Sequence, residues 1–535
     1  MPSFVVINWV TVREGGARGS GSAPTGRKLY PGGVLPVSLS SFARSLLALL
    51  TTCTLVLAAS GCIRTPQPLP TTTVTTPTPD RVFTVMTAQK ATTTDPAGVR
   101  NDSDAMVVLD LYQRLMLVQP STQLLKPDLA KECLYTAPTI FECSLPRNVV
   151  FSSGHQLTSS DVRFSLQRAL RLAPAQLSLL GALRTIETPD AWTVRFRLKY
   201  PDNQFGYGLA APAASVVDEE AYSATKVRPV TQMPIGSGPY SLDAWDSRGL
   251  SIVKFDKYVG PLGTDMPKIR ITWADSPTAE QALIDQQVEI VWRTLSPAAV
   301  ERLQARIREA LADSERPAFY RWGLTGAVQQ RLAWLPNSTY RSNATLRGAI
   351  ALALQDDRTA TSIVPSIDPG HTDSFPVGGN PEVPTLPKGI SLTLRFTNSA
   401  PGMGDLARQV GGRLQDRLGI TVRLVTEGER ADLELRDSAP QVNTALGWLQ
   451  DYLKNPLPGS ASKLAELEER IRSSSKEDVQ LPALSEIQKQ AAVDATVVPI
   501  AEVDGVLFLG DRVDLVGEAL GPGWQLALWG ARWRN

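Results

Sequence analysis

The feature that most constrains this chain lies between residues 45 and 80, ahead of the first stretch that could fold. Ser45–Gly61 hold no charged residue, and Arg44, Arg27 and Lys28 precede them. This run is shorter than the about 20 apolar residues of a membrane span, and it ends in small residues. A positive flank, an apolar middle and a small-residue exit predict a secretory signal, so folding begins after it.

The exit of this signal reads Ala-Ala-Ser-Gly-Cys and ends at Cys62. It resembles the lipobox of bacterial lipoproteins, in which the signal is cut before the cysteine and the new N-terminal cysteine is acylated. We therefore predict that Cys62 carries palmitate or a similar acyl chain that anchors the protein to the outer face of the cell membrane. The alternative is a generic signal peptide with a chance cysteine. Residues 1–36 are longer than a normal signal, and a start codon assigned too early would explain them.

A tether follows the cysteine. Residues 65–80 are almost wholly Thr and Pro, and they offer little apolar surface to offset the entropy of ordering. We expect a semi-extended spacer that holds the folded part away from the membrane.

Composition narrows the class of the remaining chain, which is long enough for two or three domains. Hydrophobic residues make up 43% and charged residues 20%, which is typical of a globular protein with a sizeable core. Lys and Arg total 54 against 53 Asp and Glu, so no field attracts nucleic acid, and we expect no nucleic-acid partner.

Few residues are suited to catalysis or metal binding. The two histidines, His155 and His371, lie in turn-like contexts, and no His/Cys group has the spacing of zinc ligands. We predict no catalytic residue, no metal site, no cofactor and no enzyme activity.

Cys133 and Cys143 bracket a predicted hairpin, where a disulfide is favoured over two reduced thiols in an exported protein.

The apolar pattern predicts an α/β protein. A capping-box-like Thr158 and Asp161 open a predicted helix. Further along, a strand at 390–396, a helix at 403–418 and a strand at 420–425 form one βαβ unit.

Several stretches in order resemble the extracytoplasmic solute-binding proteins of ABC importers, in the dipeptide, oligopeptide and nickel class (family 5). They are LYQRLM with KPDLAKE, NVVFSSGHQLTSSDVRFSLQRAL, PIGSGPY, NATLRGAIALALQDDR, and LQDRLGITVRL before ALGWLQDY. The resemblance implies a two-lobed periplasmic-binding-protein-like α/β fold with an extra subdomain, which closes around its ligand by hinge motion.

The same resemblance implies an order of domains. A signal region and tether come first, lobe I is interrupted by the extra subdomain, and the chain returns to lobe I after lobe II. The expected boundaries are 1–61 for the signal region, 62–80 for the lipidated tether, 81–112 for the first part of lobe I, 113–208 for the extra subdomain, 209–318 for the continuation of lobe I, 319–495 for lobe II and 496–535 for the return to lobe I.

The ligand site is predicted from ALGWLQDY. In peptide-binding relatives this stretch looks like Gly-Trp-x-x-Asp-Tyr, whose aspartate takes the α-ammonium group of the ligand. The matching residues are Gly447, Trp448, Asp451 and Tyr452. The alternatives are that Asp451 caps a turn and that Trp448 belongs to the core.

One departure from the family pattern follows this motif. Leu453-Lys454-Asn455-Pro456 lacks the second acid that the family often has before proline.

We expect a monomeric lipoprotein that captures a short peptide or other small solute and delivers it to the ABC transporter permease. The alternative is a tethered adaptor or sensor that has kept the fold and lost transport.

Overall fold

The compact unit of the chain is Thr78–Asn535. The computed structural model describes residues 82–119, 122–396, 401–425, 428–516 and 519–534. The predicted anchor at Cys62 and its tether lie outside the described residues, so they stay predictions. None of the helices in this described part is long and apolar enough to cross a membrane.

The first part of the unit alternates short strands and helices. Helix α2 begins at the predicted capping box, where the Thr158 N–H donates to Asp161 Oδ2 at 2.9 Å. The elements in chain order are β1 (Phe83–Thr87), α1 (Asp102–Leu111), β2 (Met116–Gln119), β3 (Leu124–Pro127), β4 (Glu132–Ala137), β5 (Ile140–Ser144), α2 (Ser159–Leu172), β6 (Leu183–Asp190), β7 (Thr193–Leu198) and α3 (Phe205–Gly208).

The second part contains the longer elements. They are β8 (Tyr240–Asp246), β9 (Gly249–Lys254), β10 (Lys268–Trp273), α4 (Ser276–Ile284), β11 (Ile290–Trp292), α5 (Pro297–Ala312), β12 (Phe319–Trp334), α6 (Ala344–Ala353), β13 (Ser391–Phe396), α7 (Met403–Leu418), β14 (Thr421–Val425), β15 (Leu433–Ser438), α8 (Ala445–Leu453), α9 (Ala461–Ser473), α10 (Glu477–Asp494), β16 (Val497–Gly510), β17 (Val513–Leu515) and β18 (Ala531–Trp533). The predicted βαβ unit is present as β13, α7 and β14, with strands 13 and 14 parallel.

Ten of the described strands form one mixed sheet in the order β14-β13-β15-β12-β16-β11-β1-β10-β9-β8. Strands β11, β1, β10, β9 and β8 lie on one side of the long pair β12–β16 and form the sheet of lobe I. Strands β14, β13 and β15 lie on the other side and form the sheet of lobe II. The long pair therefore runs through both lobes.

The pairing of β12 with β16 is interrupted where it passes between the lobes. The antiparallel register is regular up to Leu324 opposite Gly505 and resumes at Val328 opposite Val503. Gly326, between them, has a φ of +65°, in the left-handed region that glycine adopts without steric cost. The irregular stretch joins the lobe I half of each strand to its lobe II half.

The predicted extra subdomain contains a separate four-stranded sheet in the order β4-β5-β7-β6. Cys133 and Cys143 are opposite each other in the antiparallel pair β4–β5, with Cα atoms 4.1 Å apart, and they form a disulfide. Helix α2 packs against this sheet at β6 and β7.

The core of this subdomain continues into lobe II. One cluster of buried apolar side chains joins Leu179 and Phe196 of the subdomain to Leu346 and Leu446 of lobe II. A second cluster, which includes Ile269, fills lobe I. The subdomain and lobe II therefore meet along a packed interface, and the candidate site lies at its edge.

Candidate ligand-binding site

A cleft with a volume of about 90 Å³ opens between the subdomain and lobe II. The subdomain contributes Gly208 and four residues of the segment after α2, namely Ala175, Gln176, Ser178 and Leu179, and Ala211 lies just beyond its predicted end. Lobe II contributes Arg331 and residues between 439 and 454. Three of the four residues predicted from sequence line this cleft, namely Gly447, Trp448 and Asp451, and Tyr452 does not.

Helix α8 carries the predicted motif and is held by its N-terminal cap. The Gly447 N–H donates to the Thr444 hydroxyl at 3.0 Å. A Cβ on Gly447 would lie 2.2 Å from the carbonyl oxygen of Val442, so no side chain fits there. Gly447 therefore allows the backbone at Val442 to lie directly against the first turn of α8.

The two aromatic residues of the motif are core residues in this structure. Trp448 is 1% exposed, and its Nε1–H donates to Asn443 Oδ1 at 2.8 Å. The Tyr452 hydroxyl is buried and donates to Asp494 Oδ2 at 2.7 Å. The alternative reading of Trp448 as core fits this burial, and Tyr452 faces away from the cleft.

Asp451 lies between two arginines. Its Oδ2 is 2.8 Å from Arg436 and 3.6 Å from Arg331, and its side chain is 33% exposed. Burial raises the pKa of Asp451, but Arg436, Arg331 and Lys454 outweigh this effect and hold the pKa below its usual value. Asp451 is therefore ionised and already has cationic partners.

The two arginines come from neighbouring strands. Arg331 on β12 and Arg436 on β15 are directly opposite each other in the antiparallel register. Like charges in such a pair repel each other and destabilise the sheet. Asp451 is the acid that lies against both guanidinium groups.

Arg331 is fixed in place by protein acceptors. It is 1% exposed and donates to Gln329 Oε1 at 2.7 Å, to the Trp448 carbonyl at 3.1 Å and to the Ile363 carbonyl at 2.6 Å. Its guanidinium lies 5.2 Å from the centre of the Trp448 ring. Burial lowers the pKa of Arg331 to about 10, so the group is charged at neutral pH.

Lys454 connects the two sides of the cleft. Its Nζ donates to the Ala175 carbonyl at 2.9 Å, which joins the end of α8 to the subdomain. Burial lowers the pKa of Lys454, and the charge of Asp451 offsets part of this effect. Lys454 therefore lines the cleft beside Asp451 and adds a basic side chain to it.

Two hydrogen-bond donors at this site have no partner among the described residues. One is Gln450 Nε2, on a residue that lines the cleft and is 8% exposed. The other is Arg436 Nε, on a side chain that contacts Asp451 but does not line the cleft. Both atoms are buried. On the subdomain side, the buried Gln176 Oε1 is an acceptor that also has no partner in the described part of the chain.

Sequence reasoning missed Arg331, Arg436 and Gln450. A faint signal existed only for Lys454, because it stands where the family often has an acid.

A second charged group lies at the turn before α2. His155 Nδ1 is 3.0 Å from Asp218 Oδ1, and Asp161 lies close by. Burial lowers the pKa of His155, but the bond to Asp218 and the charges of Asp218, Asp161 and Glu220 together outweigh it, and the pKa is raised overall. Asp161 accepts from the backbone N–H groups of Thr158 and Glu219, so these residues stabilise the turn.

The long strand pair through two sheet halves, the attached subdomain and the charged cleft define a two-lobed solute-binding protein, as the sequence predicted. Residues 125–388 match the model of the family Bacterial extracellular solute-binding proteins, family 5 Middle. Over these residues the chain is similar to this family.

Three comparisons illustrate the relationship. The HTH-type transcriptional regulator SgrR of Pectobacterium atrosepticum is 24% identical over 336 residues, which are 62% of this chain and 55% of the relative. The chain thus spans about half the length of this curated relative. AgaA from A. tumefaciens R10, solved with agropinic acid, has a TM-score of 0.71 at 19% identity, over 85% of this chain and 99% of that one. A dipeptide-binding protein from Pseudoalteromonas sp. SM9913, solved with Met-Leu, has a TM-score of 0.71 at 15% identity, over 85% and 100%.

Proposed function

We propose that this protein captures a short peptide or a similar small solute outside the cell membrane and delivers it, chemically unchanged, to the permease of an ABC importer. The observation that carries the proposal is the cleft between the subdomain and lobe II. It combines charged side chains with a buried donor, Gln450 Nε2, that has no partner in the part of the chain that the structure describes. Such convergent polar groups in a concave site are typical of small-molecule binding.

Closure of the lobes is the expected mechanism of capture. The lobes are joined by β12 and β16, whose pairing is irregular between Leu324 and Val328, so bending is concentrated there. A ligand that contacts both sides of the cleft only in the closed form favours closure by its difference in affinity for the two forms.

Lipidation of Cys62 would keep the binding protein near its permease. The supporting observation is the apolar segment that ends in Ala-Ala-Ser-Gly-Cys ahead of a Thr/Pro-rich spacer. The test is Cys62→Ser in the full chain, expressed in a bacterium that processes lipoproteins. We expect the variant to leave the membrane fraction, and an unchanged membrane fraction would contradict the anchor.

The capture function is tested by the solute that the protein carries. The full chain is extracted from membranes in detergent without added ligand, and mass spectrometry identifies what is released on denaturation. We expect a defined mixture of short peptides. An empty cleft, together with no thermal stabilisation by panels of peptides, sugars and metal ions, would contradict capture.

A second candidate is a tethered sensor with the same fold, which would bind a solute and signal through a protein partner. The similarity to the regulator SgrR favours considering it. A stable protein partner recovered by cross-linking, with no permease subunit among the cross-linked proteins, would favour the sensor over the importer component.

A further inference from the structure

The charges around Asp451 do not balance. Arg331 and Arg436 both lie against Oδ2 of its carboxylate, and Lys454 adds a third cation. Arg436 is also 3.4 Å from Glu434, which is itself bound by Arg395 at 2.7 Å. Four cations therefore face two carboxylates, and the group carries a surplus of positive charge.

The surplus cannot be relieved by moving Arg331, because three protein acceptors and the Trp448 ring hold its guanidinium. The opposed position of Arg331 and Arg436 is unfavourable by itself. A further anion in the cleft would complete this arrangement, since Arg331, Gln450 and Asp451 line the cleft. Arg436 does not line it, but its side chain is 31% exposed and lies against Asp451.

The unpartnered donors point to the same kind of ligand. Arg436 Nε and Gln450 Nε2 are N–H groups that need an acceptor. A carboxylate supplies two acceptor oxygens, and an arginine binds it through parallel N–H groups. An ammonium group would add another donor and another positive charge to the same place.

We propose that the Asp451 cleft binds a carboxylate group of the ligand, with Arg436 and Gln450 as donors and Asp451 as the residue that positions the arginines. The proposal rests on the proposed function, since it assigns chemistry to the same cleft. It replaces the role of ammonium acceptor that the family resemblance implies for Asp451. For a peptide, the carboxylate is the C-terminus or an acidic side chain.

The test is a competition among end-blocked peptides. The purified protein is mixed with equal amounts of a random tripeptide library in three forms, with free ends, with the N-terminus acetylated and with the C-terminus amidated, and retained peptides are quantified by mass spectrometry. We expect acetylated peptides to be retained within threefold of the free form and amidated peptides to fall at least tenfold. If amidated peptides are retained only when they contain Asp or Glu, the carboxylate that binds in the cleft is that of an acidic side chain.

Two further probes separate this proposal from the proposed function. Glutarate carries carboxylates alone and cadaverine carries ammonium groups alone, and thermal shift reports binding of each. Binding of glutarate without any peptide would uphold the carboxylate site and contradict peptide capture. Peptides retained equally well after amidation, or lost after acetylation, would overturn the carboxylate site and leave peptide capture standing. No binding of any probe would overturn both.

A variant pair locates the effect. Arg436→Gln should lower retention of free peptides at least tenfold, and Arg436→Lys, which keeps the charge, should recover part of it. The matched control is Arg423→Gln, since Arg423 forms an exposed pair with Glu429 at 3.4 Å on another strand of the same lobe. Equal retention by Arg436→Gln and its control would overturn the proposal. If Arg436→Gln does not fold, Gln450→Leu provides the same test.

Discussion

Two groups of charged side chains connect the subdomain to lobe II, and they differ in how completely the protein satisfies them. Asp202 of the subdomain and Arg472 of α9 are 0% and 4% exposed, and Arg472 NH1 donates to Asp202 at 3.0 Å. The remaining nitrogens of Arg472 donate to Glu468 at 3.0 and 2.8 Å. Around Asp451, by contrast, cations are in excess, and two donors have no partner among the residues that the structure describes.

The difference separates a structural ion pair from a binding site. Each nitrogen of the Arg472 guanidinium already donates to a carboxylate, and burial excludes water from the Asp202–Arg472 pair. The Asp451 group is open to the cleft and is completed only when a ligand arrives. Variants in the first group should therefore change folding, and variants in the second should change binding.

The largest expected effect is on stability. Asp202→Ala leaves the Arg472 charge buried with Glu468 as its remaining partner, and we expect a loss of about 3 kcal/mol in the free energy of unfolding. Urea denaturation measures it. The control is Glu142→Ala, which breaks a half-exposed pair with Arg195 at 2.7 Å and should cost at most about 1 kcal/mol. Equal losses of unfolding free energy in the two variants would show that the buried Asp202–Arg472 pair matters no more for stability than an ordinary half-exposed pair.

The next effect is on binding. Lys454→Met removes a cation and the contact with the Ala175 carbonyl, and we expect the affinity for a carboxylate probe to fall about tenfold, or 1.4 kcal/mol. Titration calorimetry with the preferred peptide measures it. Lys463→Met, at an exposed pair with Glu486, is the control and should bind like the native chain. A tenfold loss in the control would show that the effect is not local.

A smaller effect of opposite sign is expected at Asp451. Asp451→Asn removes an anion that competes with the ligand for Arg436, so a carboxylate probe should bind about threefold more tightly. If Asp451 instead accepts the ligand's ammonium group, the same variant should weaken binding by roughly 2 to 4 kcal/mol. Calorimetry with the acetylated peptide and with the free peptide distinguishes the two results.

The smallest effect is the dependence of binding on pH. Because the folded pKa of Asp451 is lowered, its stabilising contribution is complete above the unfolded value of about 3.9 and is lost only as pH falls through the folded pKa. Affinity for an acetylated peptide should therefore change less than twofold between pH 5 and 8.5. Binding through a peptide ammonium group, with a pKa of about 8, would instead decline toward pH 8.5.

The sequence predicted local structure well wherever neighbouring residues determine it. The strand–helix–strand unit expected at 390–396, 403–418 and 420–425 appears as Ser391–Phe396, Met403–Leu418 and Thr421–Val425. The capping box at Thr158 was also visible, because a cap depends on residues three positions apart.

The composition of the site could not be predicted in the same way. Arg331 and Arg436 meet because β12 and β15 pair in one particular register, and that register is decided by packing across distant segments. The motif ALGWLQDY also does not reveal which side of α8 faces the cleft. Tyr452 was therefore grouped with Asp451, although its hydroxyl bonds to Asp494 in the interior.

The disulfide of the subdomain has a consequence for the aggregation of this protein. Strand β4 is an edge of the four-stranded sheet among the described strands, and it exposes Leu134 and Tyr135. An exposed apolar edge can pair with the edge of another molecule and start aggregation. The disulfide between Cys133 on β4 and Cys143 on β5 holds the two strands together even when the hydrogen bonds between them open.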